Sequence, residues 1–138
     1  MATLHKEIVV AAPVDQVWDA IRDVGALHTR LVPGFVVDTR LEGEVRVVTF
    51  GNGMTAREPI VSIDDARRRL AWAVVGGRAT HYNAVMQVTA DPGNAGGTRV
   101  GWTIDLLPGE LAPAIGGMQD QGLAKLRETL EAAAHVKR

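Results

Sequence analysis

Two changes of hydrophobic period divide this chain. From Phe35 to about residue 107, apolar and polar residues alternate with a period of two. Turn-forming residues interrupt the alternation at short intervals: Glu42-Gly43, Gly51-Asn52-Gly53, Asp64-Asp65, Gly76-Gly77 and Asp91 through Gly97. Such a pattern predicts strands joined mostly as hairpins, and therefore antiparallel. The turns delimit strands over 35–42, 44–50, 54–63, 68–75, 81–90 and 98–107. Beyond Pro108-Gly109 the period becomes helical, with Leu111, Ile115, Met118, Gly122, Leu126 and Leu130 on one stripe. That stripe predicts a C-terminal helix of about twenty-five residues. Glu110 suits its positive end, and His135, Lys137 and Arg138 suit its negative end.

The segment before Phe35 supplies the remaining elements. Thr3 to Val10 alternates and is rich in β-branched residues in its second half, so it reads as a strand. Pro13 stands where a helix can begin without losing a needed donor, and Val14, Val17, Trp18 and Ile21 recur at helical spacing. A helix is expected from Pro13 to about Arg22, ended by Gly25, with a second short helix over Ala26 to Val32 stopped by Pro33-Gly34. Strand, two short helices, six strands and a long helix make the class α+β. At 138 residues the chain fits one domain, 1–138, with no room for a second core of ordinary size.

Alternation assigns faces to the strands. One face collects Val45, Val47 and Thr49; Leu70, Trp72 and Val74; Tyr82, Ala84, Met86 and Val88; and Val100, Trp102, Ile104 and Leu106. The other carries Glu44, Arg46, Arg67, Arg69, His81, Asn83, Gln87, Arg99, Thr103 and Asp105. One dry face and one wet face are expected of an antiparallel sheet covered on one side by the long helix.

Composition narrows the function. Fifteen Lys and Arg against 16 Asp and Glu give a formal net charge of -1, which offers no footprint for nucleic acid or an anionic membrane. The apolar runs Ile8–Val14 and Leu70–Val75 fall far short of the roughly 20 residues a membrane span needs. There is no cysteine, so disulfides, thiolate nucleophiles and cysteine metal sites are absent; a cytoplasmic location is expected. His5, His28, His81 and His135 show no short metal spacing, so neither a metal nor a cofactor is expected. Ser62 is the only serine and lies mid-strand without a nucleophile elbow. Gly51-Asn52-Gly53 and Gly93 to Gly97 precede strands, not helix N-termini, and read as hairpin turns. Arg67-Arg68-Arg69 begins a strand and reads as solvated surface.

The segment Ala11-Ala12-Pro13-Val14-Asp15-Gln16-Val17-Trp18-Asp19-Ala20-Ile21-Arg22-Asp23 resembles the Ala-Pro-x-x-x-Val-Trp opening of the START-like superfamily, which includes polyketide cyclases/dehydrases and lipid-transport proteins. The Asp64-Asp65 turn, the Arg-Arg-Leu-Ala-Trp strand at 68–72, the Gly-Thr-x-Val-x-Trp run at 97–102 and the C-terminal helix are similar too, so the resemblance covers essentially the whole chain. It implies a helix-grip (Bet v 1-like) fold, a curved seven-stranded sheet around the long helix with an elongated cavity between them. Residues 58–65, Val75-Gly76-Gly77 and Asn83 resemble the plant abscisic-acid receptor branch, whose corresponding glutamate points into the pocket. The receptor's Leu-Pro gate and His-Arg-Leu latch are replaced here by Gly51-Asn52-Gly53 and Ala79-Thr80-His81, so the pocket geometry carries over and the hormone does not.

On strand 54–63 alternation alone leaves open whether Glu58 or Arg57 faces inward; the resemblance implies Glu58, which becomes the candidate catalytic or ligand-anchoring residue. Val47, Thr49, Glu58, Ile60, Trp72, Val74, Ala84, Met86, Trp102, Met118 and Gly122 are the expected ligand-binding residues. Ala84 and Gly122 are small at inward sites; a cavity, close helix-to-sheet packing or a helix kink would each account for Gly122. Three functions follow: a binding protein for a small, largely apolar ligand such as a lipid, isoprenoid or polyketide; a polyketide aromatase/cyclase or dehydratase using acid–base chemistry in the same cavity; and a co-chaperone-like protein-interaction module. The sequence sets no oligomeric state.

Overall fold

A computed structural model describes residues 1–136. The chain runs through strand β1 (Ala2–Val10), helix α1 (Val14–Arg22), strands β2 (Val36–Glu42), β3 (Val45–Phe50), β4 (Thr55–Asp64), β5 (Arg69–Ala73), β6 (His81–Ala90) and β7 (Thr98–Leu107), and helix α2 (Ala112–Val136). The seven strands form one sheet in the order β1-β7-β6-β5-β4-β3-β2, every neighbouring pair antiparallel. The long C-terminal helix and the curved antiparallel sheet make the helix-grip, α+β architecture. His135 lies in the last turn of α2, as expected; Lys137 and Arg138 lie outside the described residues.

Helix α1 forms because Val17, Trp18, Ala20 and Ile21 place one apolar stripe against the core. Its outer rim is tied to the β4–β5 turn: the Trp18 indole donates to Asp65 Oδ1 at 2.9 Å, and Arg22 Nε to the same oxygen at 2.7 Å. The second short helix is built from a 3₁₀ turn, Val24–Ala26, followed by a π-type turn, Leu27–Leu31. The Val32 N–H bonds the Leu27 carbonyl at 3.0 Å, the wider spacing of a π turn, and this brings Leu31 and Val32 into the core.

On β5, β6 and β7 the expected dry face is the buried one: Leu70, Trp72, Tyr82, Ala84, Met86, Val88, Val100, Trp102, Ile104 and Leu106 are all buried. Helix α2 covers this face with Leu123, Leu126 and Leu130, preceded by Leu111 in a 3₁₀ turn. Thr98 is fully buried and closes the far end, its hydroxyl donating to the Ala12 carbonyl at 2.7 Å.

Strand β3 has the opposite face buried. Arg46 and Val48 are buried, at 3% and 0% exposure, while Val45, Val47 and Thr49 are only partly covered. Val47 pairs with Arg40 on β2 and Arg57 on β4, both on the outer side with Glu42. Placing Val47 and Thr49 inward and Arg46 outward is therefore corrected. The segment Val45-Arg46-Val47-Val48-Thr49-Phe50 offers apolar residues to both faces, and a shift of one residue exchanges the faces completely.

Candidate functional site

Among the described residues, one ion pair has both side chains buried in the interior. Arg46 and Glu58 are directly opposed across the β3–β4 hairpin. Arg46 Nε donates to Glu58 Oε1 at 2.8 Å, and Nη2 lies 2.8 Å from the same oxygen, so Oε2 stays outside both contacts. The side chains are 4% and 10% exposed. The hairpin sets this contact: a turn centred on Asn52 places Arg46 opposite Glu58, so the signal for Arg46 was present in the spacing of the turn. The plane of the Trp72 ring supports the arginine, whose Cζ is 5.4 Å from the ring centroid.

Burial raises the Glu58 carboxyl above its ordinary value, and the Arg46 guanidinium opposes that rise. The Tyr82 hydroxyl is also raised, first by burial and then by the negative charge of Glu58. Arg46, Glu58 and Tyr82 thus form a buried polar corner against the β5–β6 ladder, where Trp72 pairs with Ala84.

Aromatic rings line the rest. Trp72 and Trp102 meet with centroids 6.2 Å apart and planes tilted by 41°. Phe35 and Phe50 make an edge-to-face pair at 5.6 Å beside the β3 end. Trp102 stands against α2 at Gly122, where a Cβ would lie 3.1 Å from Trp102 Cζ3 and 3.5 Å from Phe35 Cε2. Of the accounts open for this glycine, close helix-to-sheet packing is the one the structure contains: the place of the missing side chain is taken by the indole.

Of the expected ligand-binding residues, Glu58, Trp72, Ala84, Met86 and Trp102 are buried in this interior, and Ile60, Val74 and Met118 pack against it half-buried. Gly122 faces it across Trp102, and Val47 and Thr49 are on the outer side. A register shift between Ile60 and Ser62 follows the point where Ile60 pairs with Trp72. Arg46 and Gln119 were not among the expected residues. Gln119 is completely buried on α2, and its Nε2 donates to the Trp102 carbonyl at 2.7 Å. It lies one position past Met118 on the expected stripe, which is the signal that could have found it.

Two surface depressions lie elsewhere. One, of about 650 Å³, runs between Ala11–Pro13 at the start of α1, Ala95 and Gly96 of the β6–β7 loop, and Glu131, Ala134 and His135 of α2. The other, of about 430 Å³, lies between Leu4 and Lys6 of β1 and Gly116, Gly117 and Asp120 of α2. Neither is lined by the expected residues. Among the described residues no group of His, Asp and Glu side chains is arranged to hold a metal ion, and no helix is long and apolar enough to cross a membrane.

Residues 1–131 match the model of the protein family described as polyketide cyclase/dehydrase and lipid transport. None of the curated proteins matches the sequence. Among solved structures, a Thermobifida fusca protein is 31% identical with a TM-score of 0.75, the match covering 93% of this chain and 92% of that one. An uncharacterised protein from Bacillus thuringiensis superposes with a TM-score of 0.82 at 20% identity, over 94% of this chain and 98% of the other. Norcoclaurine synthase from Thalictrum flavum, in complex with dopamine and hydroxybenzaldehyde, has a TM-score of 0.75 at 18% identity, over 99% of this chain and 88% of the synthase.

Proposed function

From the premise that this chain belongs to the polyketide cyclase/dehydrase and lipid-transport family, we propose that it binds a small, largely apolar ligand between the sheet and α2, in the cytoplasm. The observation that carries this reading is the Arg46–Glu58 pair, buried among Trp72, Trp102 and Tyr82. A buried ion pair is a poor source of stability, since desolvating both charges consumes most of their attraction. A few fixed polar groups in an aromatic-walled interior are what orients an apolar ligand. Entry requires the packed interior to open, and the Gly76–Thr80 loop suits that movement: Gly76 and Gly77 have φ of +80° and +74°, and a Cβ on either would meet nothing within 4 Å. The Gly51–Gly53 turn is held more firmly, because Gly51 donates to the Phe35 carbonyl at 3.0 Å and a Cβ there would lie 2.6 Å from the Gly34 carbonyl oxygen.

The test is titration with N-phenyl-1-naphthylamine, an apolar fluorescent probe, together with native mass spectrometry of the purified protein. Saturable probe binding with quenching of tryptophan emission supports the reading. A protein that retains no molecule and binds no probe refutes it and leaves the protein-interaction module as the better account.

A second reading, acid–base catalysis on a polyketide-like substrate, draws on the same corner. A carboxyl raised by burial keeps its proton to higher pH than an ordinary carboxyl, the direction that general acid–base chemistry needs. Glu58→Gln separates the two: retained binding with lost turnover indicates an enzyme, and weakened binding without any turnover indicates a carrier.

A further inference from the structure

Two polar groups of the interior are not used by the Arg46–Glu58 corner. Trp102 is 7% exposed, and its indole Nε1 is buried with no hydrogen-bond partner among the described residues. Gln119 is 0% exposed, and its Oε1 is likewise buried and unpartnered. The two are linked through the Trp102 backbone. Gln119 Nε2 donates to the Trp102 backbone carbonyl at 2.7 Å, so the amide of α2 is anchored on the residue whose indole carries the other orphan.

That anchor also settles which way the amide points. The Trp102 carbonyl can only accept, so the NH₂ of Gln119 must face it and the amide oxygen must face away. Turning the amide over would set two acceptors against each other at 2.7 Å. The interior therefore presents one obligate donor, Trp102 Nε1–H, and one obligate acceptor, Gln119 Oε1, both desolvated. Leaving either unmade is costly, and native interiors leave few such groups unmatched.

We propose that this pair is a hydroxyl-recognition subsite, and that the ligand is a flat, apolar molecule carrying an alcohol or phenol group. A hydroxyl is the smallest organic group that donates one hydrogen bond while accepting another, the combination that an unmatched Gln119 Oε1 and Trp102 Nε1–H call for. A ketone or ether satisfies only the indole, and a hydrocarbon neither. The Trp72 and Trp102 rings, tilted by 41° at 6.2 Å, supply apolar surface for the body of such a molecule. The inference rests on the reading of the interior as a binding site and adds the polar group its ligand must carry.

The test compares 2-naphthol with 2-methylnaphthalene, which match closely in shape and differ in the hydroxyl, by displacement of N-phenyl-1-naphthylamine. The wild-type protein should bind 2-naphthol at least tenfold more tightly, because a site built to pair with a hydroxyl rejects the analogue that leaves its buried groups unmatched. Trp102→Phe removes the donor and Gln119→Leu removes the acceptor; each should bring the ratio of the two affinities below about threefold, whatever it does to the affinity for either probe alone. If one variant does not fold, the other serves, and the wild-type comparison needs neither. Equal affinity of the two probes for the wild-type protein overturns the subsite and leaves apolar binding standing, the two groups then being met by buried water. If neither probe displaces the dye, the binding reading fails and the subsite fails with it. A strong naphthol preference that survives both variants assigns the hydroxyl to another residue and also overturns the proposal.

Discussion

Arg46→Met is the most informative single perturbation of this interior. It removes the guanidinium from a carboxylate whose side chain is 10% exposed, and it removes the cation from above the Trp72 ring. Breaking one side of a buried ion pair costs about 3–5 kcal/mol, mostly as the penalty of an uncompensated buried charge. In urea, where unfolding free energy falls by about 1–3 kcal/mol per molar, the midpoint should drop by roughly 2 M.

Part of that cost is avoidable, because Glu58 can take up a proton. Each pH unit by which the solution lies above its pKa adds about 1.4 kcal/mol to the expense of doing so. The Arg46→Met defect should therefore be large at pH 8 and shrink as the pH falls toward the raised Glu58 value. The double variant Arg46→Met/Glu58→Leu replaces the whole pair with apolar volume and should recover to within about 1–2 kcal/mol of the wild type. Urea unfolding followed by tryptophan fluorescence at several pH values measures all three proteins. A single variant that loses less than about 1 kcal/mol, or a double variant as unstable as the single one, would show that the pair is not a desolvated charge pair and would refute the reasoning.

Gly122→Leu should lose about 1–3 kcal/mol to overpacking against Trp102, whereas Gly122→Ala should change stability by less than about 1 kcal/mol, since the gain in helix propensity offsets the 3.1 Å approach to the indole; thermal unfolding of both decides. Thr98→Val leaves the Ala12 carbonyl without its buried donor and should cost about 1–2 kcal/mol in the same assay. Asp65 has a folded pKa lowered below 3.8 by its bonds from Arg22 and Trp18, so its contribution is present above 3.8 and lost as the pH falls through the folded value. Asp65→Asn should therefore lower stability at neutral pH and flatten the acid limb of the stability profile, and an unchanged acid limb would count against that linkage. Hydrogen exchange at saturating N-phenyl-1-naphthylamine should show protection in residues 76–80, and identical exchange with and without the probe would remove that loop from the entry path.

Much of the fold can be read along the chain because it depends on period and punctuation. The turns at Gly51–Gly53 and Gly76–Gly77 and the stripe from Leu111 to Leu130 mark where strands end and where the long helix lies. On β5, β6 and β7 only one face is apolar, so alternation also identifies the inward residues, Trp72 and Trp102 among them. The inward position of Glu58 needed the family resemblance, because strand 54–63 carries apolar residues on both sides. On β3 the same ambiguity led to the wrong face: Val48 and Val47 are equally apolar, and only the cross-strand register, which sets Arg46 against Glu58 and Val47 against Arg57, turns the arginine inward.

Gln119 shows the same division on the helix. The stripe marks the buried side of α2 to within one residue, yet a polar side chain there is stable only because the Trp102 carbonyl lies 2.7 Å away, on a strand the sequence does not place beside it. Local period selects elements and, where one face is clearly apolar, selects faces. A buried charge or amide is decided by the partner that tertiary structure brings within hydrogen-bonding distance, because without that partner the desolvation cost would have turned the residue outward.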